Sequence, residues 1–266
     1  MATDSRHHQL MNWFCEAAAG PKKYRAAVFN EPQVIQAVSS RDYGNMALHT
    51  GDLPEKVIEN RRLFLSSLSL NLTDIVAAEQ IHGTAIQVVG QKQRGAGAYS
   101  METALPGTDA LITREPGVVL SIFTADCLPI FIYDRKTPAI AIVHAGWRGT
   151  IAQIASQTIV KMVNEFKTDP ALCRVAIGPA ICNACFGVSA DVAERFRGIS
   201  PQVVMESETG YHVDLALFNS LALQTTGVRS DQIAIADLCT CHTGKFFSYR
   251  GEHGTRERLM GIIALQ

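Results

Sequence analysis

The sequence predicts an α+β fold built on a mixed sheet. Three observations carry that prediction. Short β-branched runs bounded by Gly, Pro or Asp are numerous, and they fall in groups without alternating strictly with helices. Only three helices are readable from 3.6-residue spacing and capping. Two apolar runs flank the polar stretch Asp134–Pro138, which is too short for a parallel crossover, so they must form an antiparallel hairpin.

Taken in chain order, the first helix is Pro54–Leu68, with Pro54 and Glu55 in a favoured first turn. Strands follow at Asp74–Ala78 and Ala85–Val89. Gln91–Gly107, rich in glycine and polar residues, reads as a mobile surface loop between strands, not a domain linker. Ala110–Thr113, Val118–Thr124, Pro129–Tyr133 and Ala139–His144 are strands. The second helix runs from Ile151 to Phe166, with Ile151, Ile154, Ala155, Ile159, Met162, Val163 and Phe166 on one face. After a strand at Arg174–Ile177, Asp214 caps a third helix over Leu215–Thr226, and Gly227 stands where a helix-terminating glycine belongs. Ile233–Ala236 and Leu259–Ala264 close the set.

The chain's 266 residues are 47% apolar, enough to bury a core without disulfide staples. Its 24 Lys and Arg offset 25 Asp and Glu, which argues against a nucleic-acid or membrane-surface partner, since a phosphate track needs a basic surplus. The longest apolar stretch, Val118–Tyr133, is broken by Asp126, Cys127 and Pro129 and is too short to span a bilayer. The opening MATDSRHHQL lacks a signal-peptide pattern, so a cytoplasmic location with reduced thiols is expected. There is no G-x-G-x-x-G and no P-loop.

The chemistry concentrates in Thr124–Thr150, TADCLPIFIYDRKTPAIAIVHAGWRGT. If the hairpin turns between Lys136 and Thr137, paired residue numbers sum to about 273. Pro129 then faces His144 and Cys127 faces Gly146, which puts a thiol and an imidazole at the same open end. They form either a metal pair or a nucleophile with its base. His82, in the turn-like AEQIHGTAIQVV, is a third candidate. Two His and one Cys with one open position match a catalytic zinc site, where the metal lowers the pKa of water to ~7. Asp126 or Glu79 is placed to shuttle a proton or to orient a ligand.

A strand, a Gly-bearing turn and the start of the Ile151 helix suggest an anion site, to which Arg148 adds a bidentate contact. In Phe246-Phe247-Ser248-Tyr249-Arg250 an aromatic, taken as Phe247, stacks on a flat base while Arg250 holds an anion. Arg41 is a further substrate-binding cation, whereas Arg61 and Arg62 read as a solvated helix face. Cys182-x-x-Cys185 and Cys239-x-Cys241 raise a four-thiol structural zinc site. Neither pair sits in an evident knuckle, and buried or spectator thiols are the preferred reading.

The segments AEQIHGTAIQVV, GTDALIT, TADCLPIFIYD, AIVHAGWRGT, AIGPAICNACFGVS, LCT and FFSYR resemble, in order, the motifs of the YfiH-type laccase-domain family, also described as polyphenol-oxidase-like and as purine nucleoside phosphorylases. NMALHTGDLPEKVIENRR is similar to the family's N-terminal segment. The resemblance implies an N-terminal extension over residues 1–24 and one domain over 25–266. That domain would be α+β, with layered mixed sheets flanked by helices, similar to the catalytic domain of cytotoxic necrotizing factor toxins. It also implies zinc ligands at His82, Cys127 and His144, with copper the second choice. The implied activity is phosphorolysis of adenosine, inosine, guanosine and methylthioadenosine, with adenosine deamination besides. The partners are then purine nucleosides and phosphate. The chain departs from the family pattern at Ala180–Cys185 and at Gly251–Arg256, which bears on substrate preference.

The older family name implies a copper phenol oxidase. Eight histidines and no H-x-H pair are too few for four-copper chemistry, which needs about ten. A metal-free Cys-His hydrolase acting on cell-wall precursors, with Cys127 as nucleophile, is the other alternative, and a non-catalytic nucleoside binder is the last.

Overall fold

The computed structural model describes residues 13–16 and 20–266. Strands β1 (Trp13–Glu16), β2 (Lys23–Ala26), β3 (Val34–Ser39), β15 (Leu259–Leu265), β7 (Val119–Thr124) and β4 (Ile75–Ala77) make the first sheet, in that order. The second is ordered β14 (Ile233–Ile235), β10 (Cys173–Ile177), β8 (Leu128–Asp134), β9 (Ala139–Ala145), β6 (Ala110–Thr113) and β5 (Ile86–Val88). Both are mixed: β4–β7, β5–β6 and β10–β14 pair parallel, and their other neighbours pair antiparallel. A small third sheet holds β11 (Gly187–Val188), β13 (Gly210–Val213) and β12 (Val204–Ser207).

Alternation along the strands explains the layering. On β8, Leu128, Ile130 and Ile132 pack with Ile154, Ile159, Met162 and Phe218, under helices α3 (Ile154–Phe166) and α5 (Leu215–Thr225). The intervening Phe131 and Tyr133 pack with Leu120, Ile122 and Ile263 of the first sheet. On β9, Ala139, Ala141 and Val143 face the helices, while Ile140 and Ile142 face the first sheet. A strand buried on both faces reads as an unbroken apolar run, which is what these sequences are. The outer face of the first sheet is closed by α1 (Pro54–Ser66), whose Phe64 and Leu65 meet Ile75, Val119 and Ile262. The result is an α+β domain of layered mixed sheets flanked by helices, with α2 (Trp147–Ile151) and α4 (Ala190–Arg197) completing five helices among the described residues.

The hairpin register is the predicted one, with Pro129 opposite His144 and Leu128 opposite Ala145. The Asp214 cap is also present: its carboxylate accepts from Leu217 N at 2.8 Å, and Gly227 takes φ +99° after the helix. Three expectations change. The Ile151–Phe166 helix is interrupted where Gln153 adopts a left-handed φ of +58°, so the segment after Gly146 is a separate five-residue helix. Gln91–Gly107 is not a loose loop. Its backbone bonds to the free edge of β4 itself, Ala77 N to Ala96 O at 2.9 Å and Leu105 N to Ala77 O at 2.9 Å, and so covers that edge. Arg61, read as solvated, is 0% exposed and donates to Met46 O, Gly97 O and Ala98 O at 2.7, 2.7 and 2.9 Å. Its guanidinium Nε and Nη1 are thus paired with carbonyls and its Cζ lies 4.5 Å from the Phe123 ring centre, while Nη2 is buried without a hydrogen-bond partner. Trp13–Glu16, within the stretch read as an extension, pairs with Lys23–Ala26 at the edge of the first sheet. Among the described residues no helix is long and apolar enough to cross a membrane.

Candidate active site

Four segments meet at one end of the second sheet. Cys127 stands just before β8 and His144 next to the end of β9; the strands are antiparallel, so those ends coincide. β6 is antiparallel to β9, so Asp109, just before β6, joins them. β5 runs parallel to β6, and His82 lies in the turn ahead of it. The strand order alone therefore gathers residues spread over more than sixty positions.

The ligand atoms of His82, Cys127 and His144 all lie within 4.8 Å of one another. Cys127 Sγ is 3.8 Å from His82 Nε2, and the two imidazoles meet edge to face with ring centres 4.8 Å apart. His144 is 3% exposed, and its Nδ1 donates to Asp109 Oδ1 at 2.8 Å. The same carboxylate accepts from His82 N at 3.0 Å and from Gly83 N at 2.7 Å. Asp109 thus fixes the His144 ring and the His82 turn together, and it leaves Nε2 of His144 for the centre.

The backbone here is strained. Gln80 and His82 have φ of +63°, and Asp126 has +86°. Such conformations cost about 1–3 kcal/mol each and persist only where neighbours hold them. The Gln80 amide does so by bonding Phe123 O at 2.7 Å and Phe123 N at 2.8 Å. Asp126 accepts from Thr240 Oγ1, Ser248 Oγ and Arg250 N at 2.6, 2.7 and 2.7 Å. Gly146 closes the centre: a Cβ there would lie 2.8 Å from His82 Cδ2 and 3.2 Å from Cys127 Sγ.

A cleft of about 460 Å³ opens over these residues, a size suited to a small ligand. The comparisons with known proteins fit this picture. The model of a family described as multi-copper polyphenol oxidoreductase laccase matches residues 33–266, and a purine nucleoside phosphorylase of Bacteroides thetaiotaomicron is 40% identical over 77% of this chain and 78% of its own length. The chain belongs to the YfiH-type laccase-domain family. Another relative, the adenosine deaminase RL5 of an unknown prokaryotic organism, is 34% identical over 77% of this chain and 80% of its own. The crystal structure of YlmD from Geobacillus stearothermophilus matches with a TM-score of 0.89 and 32% identity, covering 95% of this chain and 98% of that one.

In this laccase-domain chain, His82, Cys127, His144, Asp126, Arg148 and Arg250 all line the cleft. Arg41 and Phe247 do not. Arg41 pairs with Glu252 at 2.9 Å and lies over the Phe247 ring, which is itself 4% exposed. The exposed aromatic of that motif is Tyr249, which lines the cleft. The helix that follows Gly146 is too short to build a useful dipole, so the anion site expected there reduces to Arg148, stacked 4.4 Å over Trp147. Three donors tie Asp126 to the neighbouring segments, two of them on Oδ1 and one on Oδ2. Sequence reading did not single out Asp109, although it stands in GTDALIT and holds His144 and the His82 turn, nor Gln80, Phe186, His49 and Arg258, which line the cleft.

Burial would push the Cys127 thiol up, but the neighbouring His144 charge and hydrogen bonds from both imidazoles bring it down to about 6. Burial opposes protonation of His144, and the Cys127 thiolate and the Asp109 carboxylate raise it to about 9. Without a metal the pair is therefore thiolate and imidazolium. A second group, Cys182, Cys185, Cys239 and His242, also has its ligand atoms within 4.8 Å of one another. The four-thiol set considered from sequence is corrected here, because Cys241 packs against the helix-side core while His242 takes the fourth position.

Proposed function

We propose that this laccase-domain chain is a zinc-dependent purine nucleoside phosphorylase that also deaminates adenosine. The observation that carries the reading is a two-imidazole, one-sulfur cluster at the floor of a cleft whose walls pair aromatic faces with arginines. The names of the relatives from Bacteroides and of RL5 support the substrate class.

The donor set fits zinc. Borderline-soft nitrogen and sulfur ligands suit it, three protein ligands leave one position open, and a carboxylate orients His144 from behind. His82, Cys127 and His144 would hold the ion, with copper the lesser fit. When bound, it supplies a Lewis acid that polarises an oxygen or nitrogen and makes water acidic enough to react near neutral pH.

The chain's own residues do the rest. Tyr249 and Phe186 offer flat apolar surfaces to the purine. Arg148, Arg250 and Arg258 offer the cations that hold phosphate beside the ribose. In phosphorolysis a phosphate oxygen bonds to C1′ as the C1′–N9 bond breaks. The purine then leaves with the electron pair and takes a proton. In deamination water adds at C6 and ammonia leaves. Glu79 is the carboxylate to move these protons, because it lines the cleft and only its Oε2 is tied, to Gly107 N at 2.6 Å. Asp126 keeps Cys127 in place.

A second reading rests on the Asp109–His144–Cys127 array, which in metal-free protein has the nucleophile, base and orienting carboxylate of a Cys-His hydrolase. One sulfur cannot bind zinc and attack a substrate at once, so alkylation that zinc blocks separates the two readings. The phosphorylase reading is tested by incubating zinc-loaded protein with inosine at increasing phosphate. Hypoxanthine should appear with an equal amount of ribose-1-phosphate, and Arg148→Met should raise KM for phosphate tenfold or more. Hypoxanthine released at the same rate without phosphate would contradict it.

A further inference from the structure

We propose that Cys182, Cys185, Cys239 and His242 form a second metal centre, a closed structural zinc site separate from the catalytic cluster. Three sulfurs and one imidazole nitrogen lie within 4.8 Å of one another. A tetrahedral ion with Zn–S distances of about 2.3 Å and Zn–N of about 2.0 Å holds its ligands roughly 3.5–3.8 Å apart, so small side-chain shifts close this set around one ion. The pattern is C-x-x-C followed by C-x-x-H, and a set of four protein ligands without an open position marks a structural site.

The backbone has the shape such a site needs. Cys182 begins a tight turn: Cys185 N and Phe186 N both donate to its carbonyl, at 3.1 and 3.0 Å. Cys182 N donates to Cys239 Sγ at 3.3 Å, an N–H···S bond that suits a thiolate more than a thiol. Cys185 Sγ lies 3.3 Å from His242 Nδ1. Thr243 Oγ1 donates to Cys239 O at 2.7 Å and so closes the second turn.

The position gives the ion a purpose. The two turns come from segments more than fifty residues apart, and besides the Cys182–Cys239 and Cys185–His242 contacts the backbone joins them through Thr240 N to Ala180 O at 3.0 Å and Ala180 N to Leu238 O at 3.3 Å. The same segments build one wall of the cleft, through Ile181, Phe186, Tyr249 and Arg250. They also hold the turn before Cys127: Ile181 N donates to Asp126 O at 3.1 Å and Thr240 Oγ1 to Asp126 Oδ1 at 2.6 Å. Zinc there clips the wall shut behind the catalytic sulfur.

Metal content of the full chain, purified with a thiol reductant, tests this. The wild type should hold about two zinc ions per chain and Cys127→Ala about one, with that remaining ion lost in Cys127→Ala/Cys182→Ser. Cobalt in Cys127→Ala should give the intense visible bands of a tetrahedral thiolate site, and these should vanish in Cys127→Ala/His242→Ala. His242 is exposed, so this last variant keeps its fold while losing a ligand. Ion loss should also speed proteolytic cleavage near residues 182–187 and 241–245 at least tenfold. A folded Cys127→Ala protein that takes up no zinc or cobalt, or zinc retained when Cys182 and His242 are both replaced, would overturn the proposal. So would a stable Cys182–Cys239 disulfide in the reduced preparation.

Discussion

Asp109 accepts the Nδ1–H of His144 at 2.8 Å, and the same carboxylate receives the backbone N–H groups of His82 and Gly83. One buried side chain thereby sets the ring orientation of one proposed zinc ligand and the backbone of another. Asp109→Asn keeps the shape and removes the charge. Zinc affinity should fall ten- to a hundredfold, measured by chelator competition, with the fold intact by circular dichroism. Unchanged affinity would mean that the carboxylate only packs.

Gly146 should tolerate no side chain. Its φ of −71° is ordinary, so the obstacle is space alone: the added Cβ would press on His82 Cδ2 and Cys127 Sγ. Gly146→Ala should cost about 1–3 kcal/mol of stability and at least tenfold in zinc affinity. Thermal melts with and without zinc separate the two effects. A variant that binds zinc like wild type would show that the cluster is looser than these distances indicate.

The depressed Cys127 pKa gives a pH signature in metal-stripped protein. An ordinary thiol ionises near about 8.5 and is mostly protonated at neutral pH. Because the Cys127 value is lowered to about 6, its thiolate should persist down to that pH and disappear below it. Iodoacetamide modification of the Cys127 peptide, followed by mass spectrometry, should therefore rise through pH ~6 and be flat above it. Zinc should suppress it at every pH.

Arg61 carries a prediction about the scaffold. Replacing it with Met retains the stem but leaves the carbonyls of Met46, Gly97 and Ala98 without their donor. Stranded buried acceptors of this kind cost about 1–3 kcal/mol each, and at about 2 °C per kcal/mol for a chain of this size the three together lower the melting temperature by roughly 6–18 °C. A shift within experimental error would mean that water replaces the guanidinium.

What could be read from the sequence follows the range of the interactions. The β8–β9 register depends on a short turn and two apolar runs, and it brought Cys127 and His144 together correctly. The Asp214 cap and Gly227 are equally local. Strands β2 and β3 do not stand out in the sequence, because β3 is completed by β15, more than two hundred residues away. The break at Gln153 carries no Gly or Pro to announce it. Asp109 reaches His144 only through the pairing of β6 with β9, and Arg61 is buried only because the segment around Gly97 folds over it. Tyr249 and Phe247 differ in exposure through a non-repeating turn that no periodicity encodes. The same reason hid His242 behind Cys241.

Purine nucleoside turnover at the proposed His82–Cys127–His144 centre is decided by a nucleoside panel with and without phosphate, read by mass spectrometry for wild type and Cys127→Ala side by side. Wild type should give phosphate-dependent hypoxanthine and ribose-1-phosphate from inosine, and a folded Cys127→Ala protein should give none. Turnover by that variant at the wild-type rate, or no nucleoside consumed by zinc-loaded wild type, would contradict it.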